Sequence, residues 1–242
     1  MPIIQTNYHG QPTTRPLHKP FAWSYSRLKN WRACPLKHYM IDLAKQVPQE
    51  KSQALSDGFD AHDAIAKFIN GKTETLPPRF RDYEGEVRRV IGNDPENTTW
   101  LVEKNMAIRR DFTACDSFDP AVWMRAKTDF VKVHGPVAVA IDWKTGQVKE
   151  EQEQLGLMAQ CVFSAYPAVE RIRTQYVWLG SNATSTVDFD RAEMAAMWLA
   201  IMPEIEMYEN AYRAGDFQPR PSGLCKRHCP VQSCQYYGKG SY

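Results

Sequence analysis

The sequence predicts an α/β fold, with a central mixed β-sheet flanked by helices, on three observations. Three strand-like runs follow one another near residues 100–109, 122–133 and 137–144. A helix with a buried stripe comes directly after them, from about Glu150 to Tyr166. A further hairpin and a long helix complete the pattern, so strands lie between helices rather than apart from them.

Each element has its own signal. Residues 1–20 carry Pro2, Pro12, Pro16 and Pro20 among polar residues and read as an extended or flexible N-terminal arm. The remainder, residues 21–242, reads as one domain. Ser24 or Ser26 can cap a first helix bearing Arg27, Lys29, Trp31 and Arg32, which Pro35 interrupts or restarts. A second helix near Ser56–Asn70 turns Phe59, Ala66 and Ile69 inward and carries His62. Pro77-Pro78 breaks the chain before a helical piece around Tyr83–Ile91. After the three strands, Leu155, Met158, Ala159, Val162, Phe163 and Tyr166 follow the spacing of one helix face. Arg171–Leu179 and Thr186–Phe189 form the further hairpin, and a helix from about Asp190 to Ala214 leads into a Cys-rich tail.

The chemistry concentrates in Val137-Ala-Val-Ala-Ile-Asp-Trp-Lys-Thr-Gly146. A strand alternates its faces, so Asp142 and Lys144 project together while Ile141 and Trp143 point the other way. The run is apolar enough to lie inside a sheet, yet it ends in two charges, which are costly to bury unless paired or bound to metal. The preceding run, Trp123–Val133, folds back about His134-Gly135-Pro136 and brings Asp129 close to the position opposite Asp142. Carboxylates so close repel unless a cation neutralises them, and hard oxygen ligands suit Mg²⁺ or Mn²⁺. An Asp–Lys ion pair at a strand end is the plainer alternative.

Six segments in order resemble the RecB-like exonuclease branch of the PD-(D/E)XK nuclease superfamily. They are Ser24-Tyr-Ser-Arg-Leu28 with Cys34-Pro-Leu-Lys-His-Tyr39, Gly58-Phe-Asp-Ala-His62, Trp100-Leu-Val-Glu103, Arg125-Ala-Lys-Thr-Asp129, Ile141-Asp-Trp-Lys-Thr-Gly146 and Gln154-Leu-Gly-Leu-Met-Ala159. Two positions depart from the pattern: Ala126 stands where a glycine is expected, and Met158 where a tyrosine is. The resemblance implies a restriction-endonuclease-like core. It also implies catalytic roles for Asp129, Asp142, Lys144, Glu103 and Gln154. Mg²⁺ or Mn²⁺ would be held by His62, Glu103, Asp129, Asp142 and the Trp143 carbonyl. Lys144 would position or help deprotonate the attacking water and pair with the scissile phosphate.

Six cysteines without an export signal argue against a disulfide framework. Cys225-Lys-Arg-His-Cys229-Pro-Val-Gln-Ser-Cys234 is a metal-binding pattern, for zinc with His228 or for an iron–sulfur cluster with a fourth thiolate from Cys34. The AddB-type and CRISPR-associated relatives have one early cysteine and three late ones, which implies a [4Fe–4S] cluster, although their usual spacing is Cys-x₂-Cys-x₅-Cys. Cys161, in mid-helix, reads as a small core residue.

A net charge of +2 and a pI near 8.2 do not announce a nucleic-acid binder, so DNA affinity must come from local patches. Arg27, Lys29 and Arg32, with Lys37 and interleaved with Trp31, form one candidate, able to bind phosphate and stack a base. Arg79, Arg81, Arg88 and Arg89 form a second. No apolar run approaches the roughly 20 residues of a membrane span, and the polar N-terminus lacks a signal-peptide pattern, so a cytoplasmic protein is expected. The expected function is metal-dependent exonucleolytic cleavage of DNA, at single-stranded or duplex ends, in recombination, repair or phage end processing. A recombination or helicase protein is the expected partner. A CRISPR-associated nuclease that trims DNA before integration, and an inactive DNA-end-binding module, are the alternatives.

Overall fold

Strands β1 (Thr99–Ile108), β2 (Ala114–Cys115), β3 (Met124–His134), β4 (Val137–Lys144), β5 (Arg171–Trp178) and β6 (Ala183–Asp190) form one sheet, ordered β2-β1-β3-β4-β5-β6. Every neighbouring pair is antiparallel except β4 with β5. Parallel strands need a crossover, and α5 (Glu153–Ala165) supplies it. The mixed sheet flanked by helices is therefore as the sequence predicts. The computed structural model describes residues 14–15, 17–48, 53–92, 98–148, 152–181 and 183–239. Most of the arm expected at residues 1–20, and the start expected for the helix at Glu150, lie outside the described residues.

The sheet belongs to one of two compact units, residues 51–198. Its first face is covered by α3 (Gln53–Ile69) and α4 (Glu84–Ile91). Ala61, Ala64, Ile65 and Phe68 of α3 pack in one cluster with Phe130, Ile141, Trp143 and Val177 of the strands. Their i, i+3, i+4, i+7 spacing is the true stripe of α3. This corrects the sequence reading, because Phe59 is 62% exposed and Ala66 and Ile69 lie at the margin. On α5 the buried residues run without a break from Leu155 to Phe163, Cys161 among them. The helix packs against β5, β1 and β3. A sheet covered on both faces allows β4 to be apolar almost throughout, so its two terminal charges stand out.

The second unit comprises residues 1–50 and 199–242. Ser24 caps α1 (Tyr25–Ala33) by accepting the Arg27 N–H. Pro35 opens α2 (Pro35–His38), where its missing N–H costs nothing. A π-helical turn, Tyr39–Leu43, follows. Helix α6 (Met194–Ala214) begins after a 3₁₀ turn at Arg191–Glu193, contains Pro203, and carries the chain from one unit into the other. In this unit His38 is buried between Asp42 (2.7 Å) and the Tyr208 hydroxyl (2.6 Å). Burial pushes the Tyr208 hydroxyl well above its ordinary range. No helix among the described residues is long and apolar enough to cross a membrane.

Candidate active site

The β3–β4 ladder pairs Phe130 with Ile141 and stops there; the next opposed residues are Asp129 and Asp142. In place of a backbone bond, Asp129 Oδ2 accepts the Trp143 N–H at 2.8 Å. Both carboxylates are buried at 5% exposure. They alternate with Phe130, Ile141 and Trp143, which face the core, so strand periodicity alone puts the two acids together.

Glu103 arrives by a different route. In β1 the pairs Val102–Phe130 and Lys104–Thr128 form, but Glu103 and Asp129 between them do not. Glu103 has φ +52°, a left-handed conformation costing on the order of 1–2 kcal/mol for a residue with a Cβ. Its carboxylate comes within 3.8 Å of His62 Nδ1, which stands 3.2 Å from Asp129 Oδ1. Ligand atoms of His62, Glu103 and Asp129 all lie within 4.8 Å of one another. Lys127 forms an ion pair with Glu103.

Asp142 adjoins this trio and is engaged on its other side. Gln154 Nε2 donates to Asp142 Oδ1 at 3.0 Å. Lys144 Nζ stands 2.6 Å from Asp142 Oδ2 and pairs with it. Burial and then the Asp129 charge push the Asp142 carboxyl up to about 6, against the pull of Lys144 and His62. For His62, burial opposes the charged ring but is outweighed by the hydrogen bond to Asp129 and by the charges of Asp129, Asp142 and Glu103, so its pKa is raised. Two buried carboxylates that repel one another, beside three converging N/O ligand atoms, fit a hard divalent cation.

In the other unit, Cys34, Cys225, Cys229 and Cys234 line one hollow, with Leu36 and Val231 in its wall. Burial raises the Cys234 pKa, and the nearby Cys34, Cys229 and Cys225 add to it. Backbone N–H groups of Arg220 and Ser222 point at Cys34 Sγ and Cys225 Sγ, each at 3.4 Å. Among the described residues, no three cysteine or histidine ligand atoms here fall within 4.8 Å of one another. Tetrahedral zinc thiolate, with Zn–S near 2.3 Å, would bring sulfurs to about 3.8 Å. His228 is not part of the lining. Four cysteines lining one hollow are a donor set suited to a thiophilic metal centre.

A profile of the PD-(D/E)XK nuclease superfamily matches residues 22–234. The chain belongs to that superfamily. A solved structure named "Putative exonuclease", from Eubacterium rectale, is similar at 15% identity with a TM-score of 0.50, covering 84% of this chain and 85% of that one. SSO0001 is more distant, at 9% identity and TM-score 0.36 over 79% of this chain and 78% of that one. No curated protein matches this sequence.

In this PD-(D/E)XK chain the basic patch expected on α1 is not formed as a base-stacking surface. Trp31 is 5% exposed and stacks on Tyr208 at 5.4 Å. Arg32 makes a two-pronged ion pair with Glu204, and Arg27 donates to the Ala22 carbonyl. Lys29 is exposed, 6.0 Å from the Tyr25 ring. Trp31→Ala should therefore act on folding, lowering stability by about 3–5 kcal/mol as buried aromatic truncations do. Chemical denaturation measures this, and an unchanged midpoint with weakened DNA binding would restore the stacking role. The second run is also largely paired: Arg79 with Asp57 and Asp60, Arg88 with Glu84, Arg89 with Glu86.

Two residues escaped the sequence reading. Lys127 lies two positions before Asp129 on β3, a spacing that could have flagged it. Tyr176 reaches Gln154 from β5, across a parallel pairing that no local pattern specifies.

Proposed function

We propose that this chain is a divalent-cation-dependent DNA exonuclease acting in end processing. The observation that carries this reading is the meeting of Asp129 and Asp142 beside His62, Glu103 and Lys144. Support for the exonuclease activity comes from the resemblance in sequence and from the name of the Eubacterium rectale protein. His62, Glu103, Asp129 and Asp142 would hold Mg²⁺ or Mn²⁺, with the Trp143 carbonyl. A cation there would act as a Lewis acid on the phosphodiester and lower the pKa of a neighbouring water.

The chain's own side chains do the remainder. Asp129 is fixed by the Trp143 N–H, and Asp142 by Gln154, so both present oxygens without reorganising. Lys144, about a third exposed, can turn its ammonium from Asp142 to a phosphate oxygen and offset the charge that builds up in the transition state. In the other unit, Cys34, Cys225, Cys229 and Cys234 would hold a [4Fe–4S] cluster with a structural role, since hydrolysis transfers no electron.

End-labelled single-stranded and duplex DNA, incubated with Mg²⁺ or Mn²⁺ and with EDTA, tests the reading. Cation-dependent release of label from the ends is expected, and intact DNA under every condition would overturn it. Lys144→Ala should lower turnover by about 10²–10³-fold while calorimetry shows cation affinity largely retained. Loss of cation binding as complete as the loss of activity would make Lys144 a structural partner of the acids.

A further inference from the structure

The parallel register of β4 with β5 sets Tyr176 beside Asp142, and residues paired in this way leave the sheet on the same face. Tyr176 is 2% exposed. Its hydroxyl donates to Gln154 Oε1 at 3.2 Å, and Lys144 Nζ lies 4.7 Å from the centre of its ring. The same Gln154 oxygen stands 3.4 Å from Lys144 Nζ, while Gln154 Nε2 faces Asp142 Oδ1. Four side chains thus form a closed ring: Tyr176, Gln154, Asp142 and Lys144. Trp178 packs edge-on against Tyr176 at 5.6 Å and is tied by its Nε1 to Ser185, which fixes the tyrosine from behind.

Resting on the nuclease reading of this site, we propose that Tyr176 is a positioning residue: it sets the orientation of the Gln154 amide and the location of the Lys144 ammonium. A carboxamide has nearly the same shape after its oxygen and nitrogen are exchanged, so its orientation is decided by its partners. The Tyr176 hydroxyl adds a donor on the oxygen side, which commits the NH₂ to the Asp142 carboxylate. The ring face offers the ammonium an electrostatic seat that competes with water for it. Buried, Tyr176 acts through its neighbours rather than on DNA. The lysine can leave for a phosphate and return to a defined place.

The test uses the purified full chain with Mn²⁺ and end-labelled DNA. Tyr176→Phe removes the hydroxyl and keeps the ring; one hydrogen bond lost should lower kcat about three- to tenfold, with KM for DNA and the unfolding midpoint nearly unchanged. Tyr176→Leu should cost roughly a further threefold or more through the lost ring face. In a Gln154→Ala background, Tyr176→Phe should change kcat by less than about twofold, because the hydroxyl works through that amide. Side-chain amide NMR of the cation-free protein gives a readout without cleavage: the Gln154 NH₂ signals should shift or double in the Phe variant. Wild-type kcat in that variant, additive effects with Gln154→Ala, or unmoved Gln154 signals would overturn the proposal. If the wild type cleaves nothing while the Gln154 signals move, the nuclease reading falls and the positioning role stands.

Discussion

Asp142→Asn is expected to abolish cation-dependent cleavage while making the cation-free protein more stable near pH 7.5. Burial, with Asp129 beside it, raises this carboxyl to about 6. A carboxyl whose folded pKa lies above its unfolded value holds its proton more tightly in the folded state. Its contribution to stability therefore falls as pH rises from about 4 through 6, reaching a cost on the order of 2–3 kcal/mol above that window. His62 acts in the same sense: its raised pKa gives stability that is complete below about 6.5 and is lost as pH climbs past the folded value. The amide removes the first cost and keeps an oxygen for Gln154. Cleavage falls on the order of 10³-fold or more because a charged oxygen aimed at the reacting centre is gone. In EDTA the variant's unfolding midpoint should exceed that of the wild type near pH 7.5, with the two converging toward pH 4. Added Mn²⁺ should raise the wild-type midpoint, more at high pH than at low, and barely move the variant. Cleavage at the wild-type rate would remove Asp142 from the site. A lower midpoint in EDTA near pH 7.5 would mean that its charge is already compensated.

The parts of this site that could be read from sequence are those set by period-two alternation within one hairpin. Asp142 and Lys144 share a face by spacing alone, and the short turn at His134–Pro136 places Asp129 opposite Asp142. Glu103 was legible as a strand residue but not as a left-handed one, because nothing in Trp100–Glu103 marks a break in pairing. Tyr176 required the register of two strands joined through a whole helix, which is fixed by packing and not by local chemistry. Strand β2 was missed because two residues carry no periodicity. Helix α1 misled: it reads as a basic surface helix, and only Leu28 and Trp31 of its nine residues are buried. A tryptophan between arginines has the same pattern whether it faces a base or a buried tyrosine; only the position of Tyr208 decides.

Cys34→Ser is expected to cost the protein both its colour and much of the stability of the unit that contains it. If Cys34, Cys225, Cys229 and Cys234 hold one cluster, anaerobically purified protein should be brown and contain iron and sulfide. The cysteines lie far apart in sequence, one between α1 and α2 and three after α6, so ligation closes a very long loop. Binding free energy at such a site is also folding free energy, and losing one of four ligands should forfeit several kcal/mol. The loss is bounded by contacts that do not depend on metal. Arg220 lies 5.8 Å from the Trp31 ring and donates to the Arg32 carbonyl, so the tail keeps a foothold on α1. Partial release is therefore expected: a lower midpoint for this unit and faster proteolysis within residues 220–239, with the β3–β4 acids left in place. Serine keeps the shape but is a poor iron ligand, which isolates the bond from the packing. Colourless wild-type protein with one equivalent of zinc, unaffected by Cys34→Ser, would assign the metal to the C-terminal trio. Wild-type protein free of both metals after anaerobic preparation would leave four reduced thiols facing one hollow.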